Sequence, residues 1–221
     1  MLALLHTSPV HVPVFDALRD AEAPGLAVHH LVRPELLDRA RAQGPDSVSA
    51  DVSAVLSGAA GHGARAVLCT CSTIGSVAEA AGAALGLPVL RVDRPMAAAA
   101  VAAGPRIAVL AALESTLAPT EDLIVQEAQR AGREVRVRTV LVPDAWERFE
   151  SGDTEGYLSA IAAAAREIRD ADAIVLAQAS MAPAAEGLDG GVPVLSSPRL
   201  GLRAAAQPAA SDSSFSGLRT I

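Results

Sequence analysis

Short apolar runs alternate along the chain with longer stretches in which apolar residues return at helical spacing. The runs predict strands at about 2–5, 27–32, 66–70, 89–92, 107–111, 135–142, 173–177 and 192–195. Helical periodicity fills the intervals, for example Ser72–Leu85, Thr116–Ala131 and Thr154–Arg169. Strand and helix in alternation predict an α/β fold built on parallel sheet.

The pattern also repeats. Leu2–Leu5 is echoed by Ile107–Leu110, Pro34-Glu35 by Pro143-Asp144, and Gly44 by Gly152. Arg65–Leu68 is echoed by Asp172–Val175, and Leu87–Leu90 by Val192–Leu195. These landmarks keep one order and nearly one offset, between 105 and 109 residues. The repeat predicts two pseudo-symmetric lobes, each a four-stranded parallel sheet flanked by helices. The first lobe is expected over 1–97 and the second over 98–197. A final helix at 198–207 is expected to pack back on the first lobe. The tail 208–221 lacks periodicity and is expected to be disordered.

Composition sharpens the picture. Hydrophobic residues make up 51% of the 221 residues and aromatics only 2%, so Ala, Val, Leu and Ile must build the core. Such a core suits strands buried on both faces. The net charge is −7 and no basic run exists, which argues against a nucleic-acid partner. Arg136 and Arg138 alternate along a strand and read as a solvated edge. Ala97–Ala103 is apolar but too short to span a membrane. The opening Met1–His6 lacks the basic start and the length of a signal peptide, so a cytoplasmic location is expected.

There is no lysine. That excludes a Schiff-base enzyme, pyridoxal phosphate enzymes included, and a Walker A phosphate loop. Cys69 and Cys71 are the only cysteines, and their spacing along one strand disfavours a mutual disulfide. With no nearby histidine pair they make a poor zinc site, so no metal is expected.

In parallel sheets, ligands bind beyond the carboxyl ends of the strands. Four such ends carry His6-Thr7-Ser8, Cys71-Ser72-Thr73, Glu114-Ser115-Thr116 and Gln178-Ala179-Ser180. Any one hydroxyl here could simply cap the next helix. Together, at equivalent places in two lobes, they point to a shared cleft. Cys71 ends a strand and is expected to open a helix. A free thiol ionises near pH 8.5, and a helix N-terminus favours an anion by about 1 kcal/mol. His6 stands where it could accept or relay a proton. Cys69 lies within the strand and reads as a small buried hydrophobe. His62 lies in a glycine-rich stretch at the wrong end of a strand for a dinucleotide loop and reads as a helix stop. His29 and His30 lie in a strand and are expected to face opposite sides.

Residues 65–73, 106–116 and 172–180 resemble the aspartate/glutamate/hydantoin racemase superfamily, in which Cys-Asn-Thr commonly follows a strand. The resemblance covers about 1–207. It implies a cofactor-independent racemase or epimerase of a small carboxylate or amino acid, which uses a cysteine thiolate for proton transfer alpha to the carboxylate in a cleft between the lobes. It also implies one thiol on each side of the substrate. Cys71 takes the first position. Thr73, Thr116 and Ser180 take the place of carboxylate binders, with Thr7, Ser8, Ser72, Ser115 and Ala179 around them. His6 falls where glutamate racemases usually have an aspartate. Members of the superfamily often assemble, so a homo-oligomer is among the implications. The second lobe departs from the pattern, because Gln178, or Ala179 in a shifted register, stands where a second cysteine is expected. Three outcomes fit: a second base such as His6 or Glu114; a one-cysteine reaction, decarboxylation or cis–trans isomerisation; or a protein that only binds a small carboxylate.

Overall fold

The computed structural model describes residues 1–186, 188 and 191–210, apart from the side chains of Pro208 and Ala210. The first lobe runs β1 (Leu2–His6), α1 (His11–Glu22), β2 (Val28–Val32), α2 (Pro34–Gln43), α3 (Ser49–Gly61), β3 (Ala66–Cys69), α4 (Gly75–Leu85) and β4 (Val89–Arg91). After α5 (Arg94–Ala103), the second lobe runs β5 (Arg106–Ala111), α6 (Leu117–Arg130), β6 (Arg136–Leu141), α7 (Ala145–Ser151), α8 (Thr154–Glu167), β7 (Ala173–Leu176) and β8 (Val194–Ser196), and α9 (Ser197–Ala210) follows.

Each lobe holds a four-stranded parallel sheet, in the orders β2-β1-β3-β4 and β6-β5-β7-β8. The echoed runs therefore occupy equivalent places: β1 with β5, β3 with β7, β4 with β8. The expected strands end within a residue or two of the observed ones. The larger shift is at α4, which starts at Gly75 and not at Ser72; residues 72–74 form a turn ahead of it.

Alternation across the pleat explains why β1 is apolar at every position but its last. Ala3 and Leu5 join Val52, Leu56 and Val77 on one face, while Leu2 and Leu4 join Phe15, Leu202 and Ala205 on the other. Residues from α9 thus cover the first sheet. The helix approaches closely, since a Cβ on Gly201 would collide with the backbone of Val92. In turn, Met96, Ala97, Ala100 and Val101 of α5 pack on Ile107, Val109 and Val175 of the second sheet. The boundary expected at 97–98 falls inside α5, whose side chains belong to the second core.

The helix expected at 198–207 starts at Ser197 and continues through 208–210, so these three residues are helical and not tail. The rest of the expected disordered tail, from 211 onward, lies outside the described residues. Among the described residues, no helix is long and apolar enough to cross a membrane.

Candidate active site

A small cavity of about 40 Å³ lies between the lobes at the carboxyl ends of the strands. Thr70, Cys71, Ser72 and Thr73 line it after β3, and Thr7 and Ser8 after β1. From the second lobe come Leu113 and Thr116 after β5, and Gln178, Ala179 and Ser180 after β7. The equivalent strand ends of the two sheets thus meet around one space. A water needs roughly 10–15 Å³ by this measure, so the space holds only a few.

Cys71 is 9% exposed and lines this cavity, whereas Cys69 is fully buried. Burial pushes the Cys69 thiol up, and the neighbouring Cys71 adds to the shift. Both cysteines are free. Cys71 does not open α4 as expected; the turn at 72–74 separates it from Gly75. A buried pair sets that turn. Arg91 donates from Nε and Nη2 to the two carboxylate oxygens of Asp93, at 2.7 and 2.8 Å. Its Nη2 also donates to the carbonyls of Ser72 at 3.4 Å and of Pro119, on α6, at 3.1 Å. Gly75 leaves room for this side chain, since a Cβ there would lie 2.9 Å from Arg91 Nε.

The hydroxyls do not serve as side-chain caps. The helices α1, α4 and α6 take no side-chain cap bond. Ser72 instead donates to the carbonyl of Ala177, at the end of β7, over 2.7 Å. Its proton is therefore committed to holding the lobes together. Ser180 shares a 2.8 Å hydrogen bond with Tyr157 Oη. Burial, offset in part by that bond, pushes the Tyr157 phenol up to about 12.

Gln178 carries the most informative arrangement. Its Oε1 accepts from the Ala112 N–H at 2.9 Å. That contact fixes the amide orientation, because the reverse would oppose two donors. Its Nε2 is closed off from solvent and has no hydrogen-bond partner among the described residues. An unpaired buried donor costs about 1–3 kcal/mol.

Three of the candidate residues, His6, Ser115 and Glu114, are not on the cavity wall. The His6 ring is fully buried, with Nδ1 2.8 Å from Thr70 Oγ1 and Nε2 2.8 Å from His30 Nδ1. His30 Nε2 continues to Asp16 Oδ1 at 3.3 Å. Thr70 Oγ1 donates to the Leu5 carbonyl at 3.2 Å, so in its contact with the ring it accepts from His6 Nδ1–H. Burial, then the nearby His11 and His30, lower the His6 pKa to about 3. His6 therefore reaches the cavity only through Thr70. Ser115 also lies off the wall, with a buried hydroxyl lacking a partner among the described residues. Glu114, offered as a second base, is exposed and is not part of the cavity wall either.

The ionisable residue that the sequence reading missed is His11, at the start of α1, which does line the cavity. Burial lowers its pKa to about 4. Also missed were Leu37 from α2, and Trp146 and Phe149 from α7. The aromatic rings stack 5.0 Å apart, and Arg41 from the first lobe lies 5.7 Å from the Trp146 ring. One signal was available: three of the five aromatic residues of the chain fall within 146–157. Among the described residues the wall carries no Asp, Glu, Lys or Arg, so the charge of an anionic ligand would be met by hydroxyls, amides and backbone donors. Among the described residues, no group of three or more His, Cys, Asp or Glu could hold a metal ion.

A duplicated parallel-sheet scaffold with a thiol and hydroxyls at its shared mouth defines a class of two-lobed α/β proteins. This chain belongs to the Asp/Glu/hydantoin racemase family, whose model matches residues 12–205. No curated protein matches the chain. Among solved structures it is similar to a glutamate racemase isoform from Bacillus anthracis, at 17% identity over 94% of this chain and 80% of that one, with a TM-score of 0.72. It is similar to a glycine-to-cysteine mutant of arylmalonate decarboxylase, at 19% identity over 96% and 94%, with a TM-score of 0.63. It is also similar to an aspartate racemase from Picrophilus torridus, at 16% identity over 90% and 88%, with a TM-score of 0.58. At these identities the likeness is one of fold.

Proposed function

We propose that the protein is a cofactor-independent enzyme that transfers a proton at the carbon next to a carboxylate, with Cys71 as its only catalytic thiol. The observation that carries this reading is the pairing of Cys71 with Gln178 around one cavity, at equivalent ends of β3 and β7. Two-base inversion needs an acid and a base on opposite faces of the carbon. An amide is neither. The reading therefore favours a reaction that protonates one face.

In such a reaction the substrate carboxylate accepts from Gln178 Nε2 and from the Thr7, Thr73 and Thr116 hydroxyls. Loss of carbon dioxide, or of an α-proton to the Cys71 thiolate, leaves an electron pair shared between carbon and carboxylate as an enediolate. The unpaired Gln178 donor stabilises the charge that develops on oxygen. The Cys71 S–H then delivers its proton to carbon; after loss of carbon dioxide the thiolate left behind regains a proton from water, and after α-proton abstraction it is already the starting species. No electrons are gained or lost.

Racemisation is the second reading. It is favoured by the family, and His11 would then be the opposing acid or base, as the other histidine or cysteine on the wall. Turnover in deuterium oxide separates the two. Aspartate, glutamate and a set of substituted malonates are followed by NMR and by carbon dioxide release. One-face chemistry predicts carbon dioxide and a singly deuterated product from a malonate, and none from Cys71→Ala. Exchange of the amino-acid α-proton with inversion favours the racemase. Turnover in Cys71→Ala contradicts both readings. Protection of the thiol without any turnover leaves a carboxylate-binding protein.

A further inference from the structure

A buried arginine stands behind the turn that follows Cys71. Arg91 ends β4 and pairs in register with Cys69 of β3, so it lies beside the strand end that leads to the thiol. Its side chain and that of Asp93 are both buried. Burying two charges is costly, and an apolar pair of similar size is often as stable. The second lobe does without such a pair, since β8 carries Ser196 at the equivalent end. What the pair does is therefore sought at the turn it touches.

Arg91 Nη2 donates to the Ser72 carbonyl at 3.4 Å, and the Gly75 N–H donates to the same oxygen at 3.3 Å. Arg91 and Gly75 are off the cavity wall, whereas Ser72 and Thr73 are on it. The Ser72 carbonyl is thus drawn to the side away from the cavity. No described peptide bond is cis. In a planar trans peptide the C=O and N–H point in opposite directions. The Thr73 N–H belongs to the same peptide unit, so it turns toward the cavity. It has no acceptor among the described residues, although Thr73 is only 2% exposed. A buried N–H without a partner is rare.

We propose that Arg91 is a positioning residue for the reaction: by holding the Ser72 carbonyl behind the turn, it presents the Thr73 N–H to the substrate carboxylate. This rests on the proposed function above, in which Thr73 binds the carboxylate through its hydroxyl. The brace gives that residue a second donor of fixed direction. Asp93 grips Nε and Nη2 together, so the guanidinium cannot swing from the turn. The Pro119 carbonyl accepts from the same Nη2 at 3.1 Å, so both lobes set its place. A donor fixed in advance needs no reorganisation as charge develops on the carboxylate.

Malonate is the probe, with two readings on the whole protein: proton–nitrogen correlation spectra, and alkylation of Cys71 by iodoacetamide followed by peptide mass spectrometry. In the native protein malonate should move the Thr73 amide proton downfield over the same concentrations that protect the thiol. Arg91→Lys keeps a charge opposite Asp93 but loses the planar fork. Arg91→Met combined with Asp93→Leu removes both charges. Neither variant leaves a charge buried alone, so the fold is kept. In both, the malonate concentration that half-protects Cys71 should rise about tenfold, as for the loss of one hydrogen bond to a charged group. The Thr73 amide should also cease to respond. A role in stability alone would lower the unfolding midpoint and leave both readings at their native values. Protection of native Cys71 with no response at Thr73, or native half-protection in the variants, overturns the positioning role while the carboxylate site stands. A native protein that malonate neither protects nor shifts overturns the carboxylate reading and the positioning role together.

Discussion

The Ser72 hydroxyl donates to the Ala177 carbonyl at 2.7 Å, joining the residue after Cys71 to the residue before Gln178. A single hydrogen bond thus ties the turn after Cys71 in one lobe to the equivalent strand end of the other. Arg91 reinforces the tie by binding both the Ser72 and the Pro119 carbonyls. The cavity is held at its narrow width by contacts on either side of the thiol.

Ser72→Ala removes this strut and leaves a buried carbonyl without its donor. The cost is about 1–3 kcal/mol of stability. Thermal or denaturant unfolding measures it. Turnover should fall further than stability alone accounts for, because the distance between Cys71 and Gln178 is no longer fixed. Normal turnover at saturating substrate would show that the bond is only structural.

Gln178→Leu keeps the size, removes the Nε2 donor and also leaves the Ala112 N–H without its acceptor. Carboxylate binding should weaken by about 1–3 kcal/mol, which is roughly a five- to 150-fold rise in dissociation constant. Gln178→Cys places a thiol where the family resemblance expects one. It should introduce racemisation, measured as loss of optical purity in the product. A Gln178→Leu variant that binds malonate as tightly as the native protein would show that the amide takes no part.

The two cysteines should differ in the native state. Cys69 is fully buried and held toward its protonated form, while Cys71 lines the cavity. Iodoacetamide should label one thiol in buffer and two in denaturant, with Cys71 as the native site. Labelling of Cys69 at a comparable rate would mean that the first lobe opens far more readily than its packing implies.

Stability should depend on pH through two histidines. His6 is lowered to about 3 and His11 to about 4, both chiefly by burial. Each is neutral in the folded protein at pH 5 to 6 but takes up a proton on unfolding below about 6.5. The unfolded state binds more protons in that window, so stability rises with pH from about 4 to 6.5. Each fully titrating histidine contributes a slope of about 1.4 kcal/mol per pH unit. Denaturant titrations at several pH values measure this slope, and His11→Gln should reduce it by about half.

Much of this architecture is legible in the chain. Parallel strands buried on both faces must be apolar throughout, and Leu2–Leu5 and Ile107–Leu110 show it twice. Once the repeat is seen, the register alone pairs Cys71 with Gln178. What escapes the pattern is where loops and helices carry their side chains. His6 ends β1 as expected, but its ring turns inward onto Phe15 and His30, and His11, five residues later, takes the cavity wall. Trp146 and Phe149 reach the site from α7, which no rule about strand ends anticipates. Arg91 is the last residue of a three-residue strand, and its sequence context gives no sign that it organises the turn at 72–74.

The most direct test of the central claim is the configuration of a product made in deuterium oxide from a prochiral malonate such as benzyl(methyl)malonate. A lone thiol that protonates one face predicts a single enantiomer carrying one deuteron at the α-carbon, and no product from Cys71→Ala. A racemic product from the native protein, or turnover that survives the loss of Cys71, would contradict it.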